Sequence, residues 1–369
     1  MHTDLCDMFG IDLPIFAFSH CRDVVAAVSK AGGLGVLGAL AFSNEQLEME
    51  LNWIDDNIDG KPYGVDVVMP ASYAGAGNLD PEHMEEQLDA MIPQQNREWI
   101  EKVLTEHQVP PMPPDEEVHG LLGWTHEGAR PQVDIALAHP IKLLVNALGP
   151  PPKDIVDLAH AHGAKVAALI GSVQQAQRQV NQGVDIIVAQ GHEAGGHTGE
   201  ITSMVLLPEV VDAVAPVPVL GAGGIGRGRQ IAAAMALGAQ GVWTGSVWLT
   251  TAESDMQPMV VEKLLAASSR DTVRSRCMTG KPARQLRTGW TDAWEADDAP
   301  PFLPMPLQYL STAEAQRRIG RSGNRELTGI PVGQIVGSMN AVRPVKDVIF
   351  EMVEEFIDAS ERVAKLGQK

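Results

Sequence analysis

The sequence of 369 residues predicts an α/β protein, a TIM barrel of eight parallel strands surrounded by helices. Eight short runs rich in Val, Ile and Leu do not alternate with polar residues, which is typical of parallel strands buried on both faces. Helical patterns of about ten residues separate several of these runs. Glycine-rich turns follow the last two. A doubly wound open sheet stays the alternative, because strand order cannot be read from one sequence.

In chain order, the predicted strands are Pro14–Phe18, Gly35–Leu37, Gly64–Val68, Leu143–Val145, Lys165–Ile170, Asp185–Ala189, Val217–Leu220 and Gly241–Thr244. Helices are predicted between several of them at Asp23–Ala31, Ser43–Ile58, Lys153–His162, Ser172–Gln182 and Gly228–Leu237. We therefore assign residues 1–79 and 133–270 to the barrel, 80–132 to a helical insertion after the third strand, and 271–369 to a C-terminal extension that packs on the barrel.

The insertion is acidic, since residues 80–127 carry 12 acidic and two basic side chains. Asp80-Pro81 predicts a helix start that runs toward Leu88, because Asp favours the N-cap and Pro the first helical position. A second helix is predicted at Gln95–His107 and is ended by the prolines at 110–114. This segment is interpreted as a solvated cover, with a lid over the active site as the alternative.

The extension begins with a basic stretch and ends with two amphipathic helices near Thr312–Ile319 and Val345–Leu366. The stretch pairs with the acidic remainder of the protein or forms a site for a phosphate-bearing substrate. Its members are Arg270, Arg274, Arg276, Lys281, Arg284 and Arg287.

Charge and cysteine content limit the function. The net charge of −19 and the pI of about 4.9 disfavour binding to nucleic acid or to a membrane surface. Three cysteines without a CxxC pair favour a reducing compartment. Neither a signal-peptide core nor a run of about 18 apolar residues is present, so we expect a cytoplasmic protein.

Glycines follow two neighbouring strands near the end of the predicted barrel. The first turn is Gly221-Ala222-Gly223-Gly224-Ile225-Gly226, and the second is Gly245-Ser246, which a helix is predicted to follow. Two such strand–helix turns predict a phosphate site built from backbone N–H groups. A Rossmann site is disfavoured because no acidic residue lies between Gly226 and Thr244.

Two histidines follow the sixth strand, in the segment Gln190-Gly191-His192-Glu193-Ala194-Gly195-Gly196-His197. A zinc site is disfavoured because the histidines are five residues apart and separated by two glycines, unlike the helical H-E-x-x-H pattern. A neutral imidazole is instead suited to proton transfer. His197 is the preferred acid/base and His192 the alternative.

These segments resemble the nitronate monooxygenase family of FMN-dependent barrels, and the wider family includes the flavin-type enoyl-acyl-carrier-protein reductases. The resemblance is carried by the two glycine-rich segments above, by Leu237-Gly238-Ala239, and by the tail segments at 280–284 and 331–337. It implies that His197 is the catalytic acid/base. It also implies that FMN is the cofactor, with residues for its phosphate and its ring at Gly223, Gly224, Gly245, Ser246, Gln190, Gly191, Gly196 and Asp66.

Two positions depart from the family pattern. Asp66 stands where Asn usually contacts the flavin, and a negative charge there would disfavour the anionic reduced form unless Asp66 is protonated or paired. The first loop carries Phe18, His20 and Cys21 in place of a small turn. Cys21 is interpreted as a packing residue and His20 as an ordinary loop residue.

The resemblance implies oxidation of alkyl nitronates with O₂ to a carbonyl compound and nitrite. A flavin-dependent reductase or dehydrogenase of an enoyl or CoA thioester is the first alternative, and a non-catalytic barrel that binds a phosphorylated ligand is the second. The expected partners are a small-molecule substrate and O₂, without nucleic acid or membrane. No metal site is predicted, and a homodimer is an assembly that the sequence allows.

Overall fold

The computed structural model describes residues 1–69, 83–113 and 126–367. Eight parallel strands close into a barrel in the order β1-β2-β3-β4-β5-β6-β8-β9, so the predicted TIM barrel is confirmed and the open sheet is wrong. These strands are β1 (Ile15–Ser19), β2 (Leu34–Gly38), β3 (Tyr63–Val67), β4 (Leu143–Asn146), β5 (Lys165–Ile170), β6 (Ile186–Gln190), β8 (Val219–Ala222) and β9 (Gly241–Thr244). Each of the eight overlaps a predicted strand.

Seven described helices surround the barrel. They are α2 (Arg22–Lys30), α3 (Asn44–Asn57), α6 (His126–Ala138), α7 (Lys153–Ala161), α8 (Val173–Asn181), α9 (Ser203–Val214) and α10 (Gly228–Ala236). Five of them match a predicted helix within one or two residues at each end, whereas α6 and α9 were not predicted. The N-terminal helix α1 (Asp4–Phe9) buries Leu5, Cys6 and Phe9 against strand-start residues such as Phe16 and Leu34. It therefore closes the end of the barrel opposite the glycine-rich turns.

Alternate side chains of each strand face opposite ways, as a pleated strand requires. On β3, Val65 and Val67 join the cluster that lies between the strands and the outer helices. Val36, Val145 and Val188 belong to the cluster inside the barrel. Because the interior is filled with side chains, chemistry is confined to the rim where the strands end.

Two described helices lie wholly within the insertion, α4 (Met84–Ala90) and α5 (Gln94–Glu106), and α6 begins in it. Both overlap the predicted helices, while Asp80-Pro81 lies outside the described residues. Helix α5 shares an apolar cluster with α12 (Gly289–Trp294) and α13 (Leu307–Ser322), to which Ile100, Trp290 and Ile319 belong. The insertion thus packs on the extension. The division into three units stays a proposal, and its boundary at 132–133 falls within α6.

Helix α11 (Pro258–Ala266) ends the part assigned to the barrel, and the extension adds α14 (Val345–Leu366) and a small antiparallel sheet. That sheet pairs β10 (Thr272–Ser275) with β11 (Ala283–Leu286), and β11 with β7 (Gly196–His197) of the rim. Helix α14 packs on α10, where a Cβ at Gly228 would collide with the carbonyl oxygen of Met352. Helix α13 is longer than predicted. The segment Ser246–Thr250 is a short 3-10 helix rather than the α-helix expected there.

Within the described ranges, no helix combines the length and the apolar character needed to cross a membrane.

Candidate active site

A cavity of about 420 Å³ opens at the carboxyl ends of β4, β5 and β6. Its wall combines loop backbone, a few apolar side chains and a small polar set. Predicted site residues Gln190 and His197 are part of this wall. So are two cations, Arg178 and Lys281, and the cavity is therefore the site for chemistry that the structure supports best.

His197 reaches the cavity because its loop forms a short strand that pairs with the extension. In the pairing of β7 with β11, His197 lies opposite Ala283 and Gly196 opposite Arg284. Gly196 has a φ of 74°, in the left-handed region that glycine adopts without strain. The hydrogen-bonded register fixes the direction of the imidazole more firmly than a free loop would.

The protonation of His197 is set by burial and by a neighbouring cation. Its Nε2 lies 2.7 Å from the hydroxyl oxygen of the buried Thr279. Desolvation, aided by the positive charge of Lys281, lowers the pKa of His197 to about 4. The imidazole is accordingly neutral at physiological pH, where it can donate one hydrogen bond and accept another.

His192, the alternative acid/base, makes hydrogen bonds that hold its own loop in place. Its Nδ1 lies 3.2 Å from the carbonyl oxygen of Gly199, and its own carbonyl accepts two hydrogen bonds from the buried Arg284. His192 is not among the residues that line the cavity. The geometry therefore favours His197 over His192.

Glu193 and Ser203 join the histidine loop to the first glycine turn. The Glu193 carboxylate accepts the N–H of Ser203 at the start of α9, and the Ser203 hydroxyl donates to the carbonyl oxygens of Ala222 and Gly223. A Cβ at Gly191 would collide with that hydroxyl. Gly191 is thus glycine because the two loops approach each other closely.

The first glycine turn has the geometry of an anion site. Gly223 and Gly224 have φ values of 98° and 66°. Among the hydrogen bonds of the described residues, none uses either of their backbone N–H groups as donor. Helix α10 begins shortly afterwards, so its positive N-terminal end lies beside these groups. Residues that fit a cofactor phosphate are therefore present.

The second turn is partly occupied by the extension. The Ser246 hydroxyl accepts the N–H of Gly333 at 2.8 Å, and the N–H of Gln334 donates to the carbonyl of Glu193. A Cβ at Gly333 would lie 2.9 Å from that same carbonyl oxygen. The predicted tail segment at 331–337 thus bridges the histidine loop and the turn at Gly245-Ser246.

The remaining predicted cofactor residues end two barrel strands. Gln190 ends β6, lines the cavity and donates from Nε2 to the carbonyl of Gly195 at 3.4 Å. Asp66 is the penultimate residue of β3 and is 4% exposed, and its Oδ1 has no hydrogen-bond partner in the described parts of the chain. An orphaned buried oxygen of this kind fits a position that a bound group completes.

Among the described residues, some cations of the basic stretch and of the cavity wall form ion pairs, and others do not. Arg274 pairs with Glu200 and Arg287 with Asp292, as the charge-balance interpretation expects. In the described ranges, the ammonium of Lys281 and the guanidinium of the cavity-lining Arg178 have no ion pair. Arg178 and Thr279 were not predicted as site residues, because nothing in the local sequence indicates that α8 and the loop after β10 meet at this cavity.

The first loop places an aromatic pair at the mouth of the barrel. The rings of Phe18 and His20 are 5.1 Å apart, and His20 Nδ1 donates to the carbonyl of Gly38 at 2.9 Å. Cys21 is buried and its thiol contacts the carbonyl of Glu253, in agreement with a packing role.

The closed barrel, the glycine turns and the rim histidine define a TIM barrel with a candidate anion site and a candidate proton donor at its rim. The sequence profile of the nitronate monooxygenase family matches residues 3–355, and the chain belongs to this family. It is 52% identical to Rv1533 of Mycobacterium tuberculosis over the whole of both chains. The name of that protein assigns it only to the monooxygenases. It is 29% identical to a Staphylococcus haemolyticus protein named a probable nitronate monooxygenase, covering 96% of this chain and 98% of that one.

Solved structures agree with this placement. FabK from Thermotoga maritima superimposes with a TM-score of 0.75 at 27% identity, covering 99% of each chain. A nitroalkane oxidase from Streptomyces ansochromogenes has a TM-score of 0.80 at 24% identity, covering 97% of this chain and 99% of that one, and supports the fold alone.

Proposed function

We propose that the protein is an FMN-dependent nitronate monooxygenase that oxidises alkyl nitronates with O₂ to a carbonyl compound and nitrite. The observation that carries this proposal is the neutral His197 beside the cationic Lys281 on the cavity wall. A histidine with a pKa of about 4 is a weak base, so it is poorly suited to remove a proton from a nitroalkane. A nitronate is already an anion, and Lys281 favours its binding.

FMN would be held by the N–H groups of Gly223 and Gly224 at its phosphate, with Gln190, Gly191, Gly196, Gly245, Ser246 and Asp66 around the rest of the molecule. When bound, it supplies the electron transfer that the side chains cannot perform. His197 donates a hydrogen bond to the nitronate and orients it, while Thr279 holds the ring. Leu169, Ile170 and the loop at 147–150 keep this side of the cavity apolar and limit access of water.

A second candidate is a reductase of an enoyl or CoA thioester. Arg178 and Lys281 at the cavity, which have no ion pair among the described residues, favour it, because both could bind the phosphates of a large thioester. In that case a reduced nicotinamide cofactor or another donor is required, whereas the monooxygenase needs only O₂ as acceptor.

Aerobic turnover tests the proposal. Purified protein supplied with FMN and a secondary alkyl nitronate is expected to consume O₂ and to release nitrite and the ketone. Consumption of NADPH that depends on an enoyl-CoA, without nitrite from the nitronate, would favour the thioester reductase. Tight FMN binding with neither reaction would favour the non-catalytic phosphate-binding barrel.

A further inference from the structure

The carboxyl group of Asp66 belongs to a barrel strand and lies at the end of the barrel that bears the active site. It is paired in the sheet with Gly38 of β2 and Val145 of β4. Its strand neighbours Val65 and Val67 pack outward against the helices. Because side chains alternate along a strand, Asp66 faces the barrel interior just below the rim.

No described side chain satisfies this carboxyl group. Oδ1 of Asp66 is buried without a hydrogen-bond partner. The neighbouring Asn146 already uses its amide on the backbone of Met69 and Gly149, and its oxygen accepts from Met69 and Leu148. The titratable side chains on the adjoining first loop are His20, whose Nδ1 bonds Gly38, and the buried thiol of Cys21.

The surroundings favour the uncharged form of the group. The facing positions on β2 and β4 are Gly38 and Val145, neither of which carries charge. Burial raises the pKa of Asp66 well above its ordinary value, and no cation within residues 1–69, 83–113 and 126–367 opposes that shift. A buried carboxylate without a donor is costly, whereas a carboxylic acid needs only one acceptor for its O–H.

We propose that Asp66 is kept as the neutral carboxylic acid and that its O–H donates a hydrogen bond to the bound flavin. The inference rests on the proposed function for the identity of the cofactor as FMN. A neutral donor at this position adds no negative charge beside a ring that becomes electron-rich on reduction. The site would therefore lose affinity for FMN as Asp66 ionises.

The ionisation is tested first without cofactor, by thermal unfolding of the apo protein between pH 5 and 9. The folded-state pKa is raised above the unfolded value of about 4, so the folded state binds more protons in that window and stability falls as pH rises. Relative to Asp66→Asn, which is isosteric and does not titrate, wild-type Tm is expected to fall progressively with pH. The control Asp297→Asn, at an exposed carboxylate, should track the wild type.

The hydrogen bond is tested by the Kd for FMN over the same range. The ratio of wild-type to Asp66→Asn Kd cancels the ionisation of the FMN phosphate, and it is expected to rise at least about 10-fold, which corresponds to about 1.4 kcal/mol. Infrared difference spectra should contain a carboxylic acid C=O band that is missing in the variant.

Three results would overturn parts of this account. A Kd ratio that stays constant over a pH range in which the infrared band of the acid disappears from the FMN-free protein would exclude the hydrogen bond while leaving the proposed function intact. A Tm difference that is constant with pH, together with an absent infrared band, would show that Asp66 is not a neutral carboxylic acid. Failure of both proteins to bind FMN would overturn the proposed function and the hydrogen bond, while the Tm series would still decide the protonation state.

Discussion

At the residue scale, the chemistry depends on the ring of His197, 2.7 Å from the Thr279 hydroxyl. His197→Asn removes the imidazole donor, and we expect kcat/KM for a nitronate to fall by about 10²- to 10³-fold with FMN affinity nearly unchanged. Steady-state O₂ consumption and FMN fluorescence titration measure the two effects. The control is His162→Gln, at an exposed histidine at the end of α7, which should behave as wild type.

The pH dependence of the reaction follows from the same residue. Because its pKa is lowered to about 4, His197 stays neutral from pH 6 to 9 and should contribute no inflection to kcat/KM there. Activity that requires the neutral ring is lost only as pH falls toward 4. An inflection near 6.5 in the wild type that disappears in His197→Asn would contradict the lowered pKa.

Thr279 is expected to act through His197. Thr279→Val keeps the shape of the side chain but removes the hydroxyl, so kcat/KM should fall by about 2- to 10-fold, the value of one neutral hydrogen bond. Thr279→Ser restores the hydroxyl and should restore most of the activity. If the Ser variant is as slow as the Val variant, packing rather than the hydrogen bond explains the loss.

Sequence reasoning identified some of these residues and missed others for one physical reason. His197, Gln190 and Gly223 were predicted because glycines and polar residues directly after a strand mark the rim of a barrel. Arg178 reaches the cavity, and Thr279 reaches the ring of His197, only through the folding of separate segments. The protonation of His197 and Asp66 likewise depends on burial, which local sequence does not reveal.

At the element scale, the two-residue strand β7 positions the histidine loop. It joins the histidine loop to β11, while the segment at 331–337 joins the same loop to the second glycine turn. The barrel strands could be predicted because each is a self-contained apolar run. Strand β7 could not, since it exists only through its pairing with a segment more than 80 residues later in the chain.

Gly333→Ala tests the bridge that the extension forms. The added Cβ would lie 2.9 Å from the carbonyl of Glu193 and 3.0 Å from the N–H of Gly195, so the segment must shift away from Ser246. We expect weaker FMN binding and a lower Tm. Gly320→Ala is the matched control, because no atom lies within 4 Å of its Cβ and alanine stabilises a helix by about 0.5–1 kcal/mol. Equal effects of the two variants would argue against the bridge.

At the scale of the whole molecule, the net charge of −19 is distributed unevenly. Residues 80–127 hold a large share of it, whereas the cavity wall carries the cations Arg178 and Lys281. The overall acidity therefore does not describe the active site. The net charge follows from the composition, but the position of the two cations could be known only from the fold.

Self-repulsion among the acidic groups predicts a salt effect on stability. Added NaCl screens these charges, since the Debye length falls from about 30 Å at 0.01 M to about 3 Å at 1 M. We therefore expect Tm at pH 8 to rise with NaCl over this range. A Tm that falls with salt would mean that surface ion pairs, such as Arg130 with Asp154, outweigh the repulsion.

The central claim is that a nitronate is the electron donor to the flavin at this site. The most direct measurement is anaerobic titration of the FMN-loaded protein, followed by its visible spectrum, with a secondary nitronate, NADPH and an enoyl-CoA in separate experiments. Rapid bleaching by the nitronate, slowed in His197→Asn, with little change on adding NADPH, is the predicted result. Rapid bleaching by NADPH and none by the nitronate would contradict the claim.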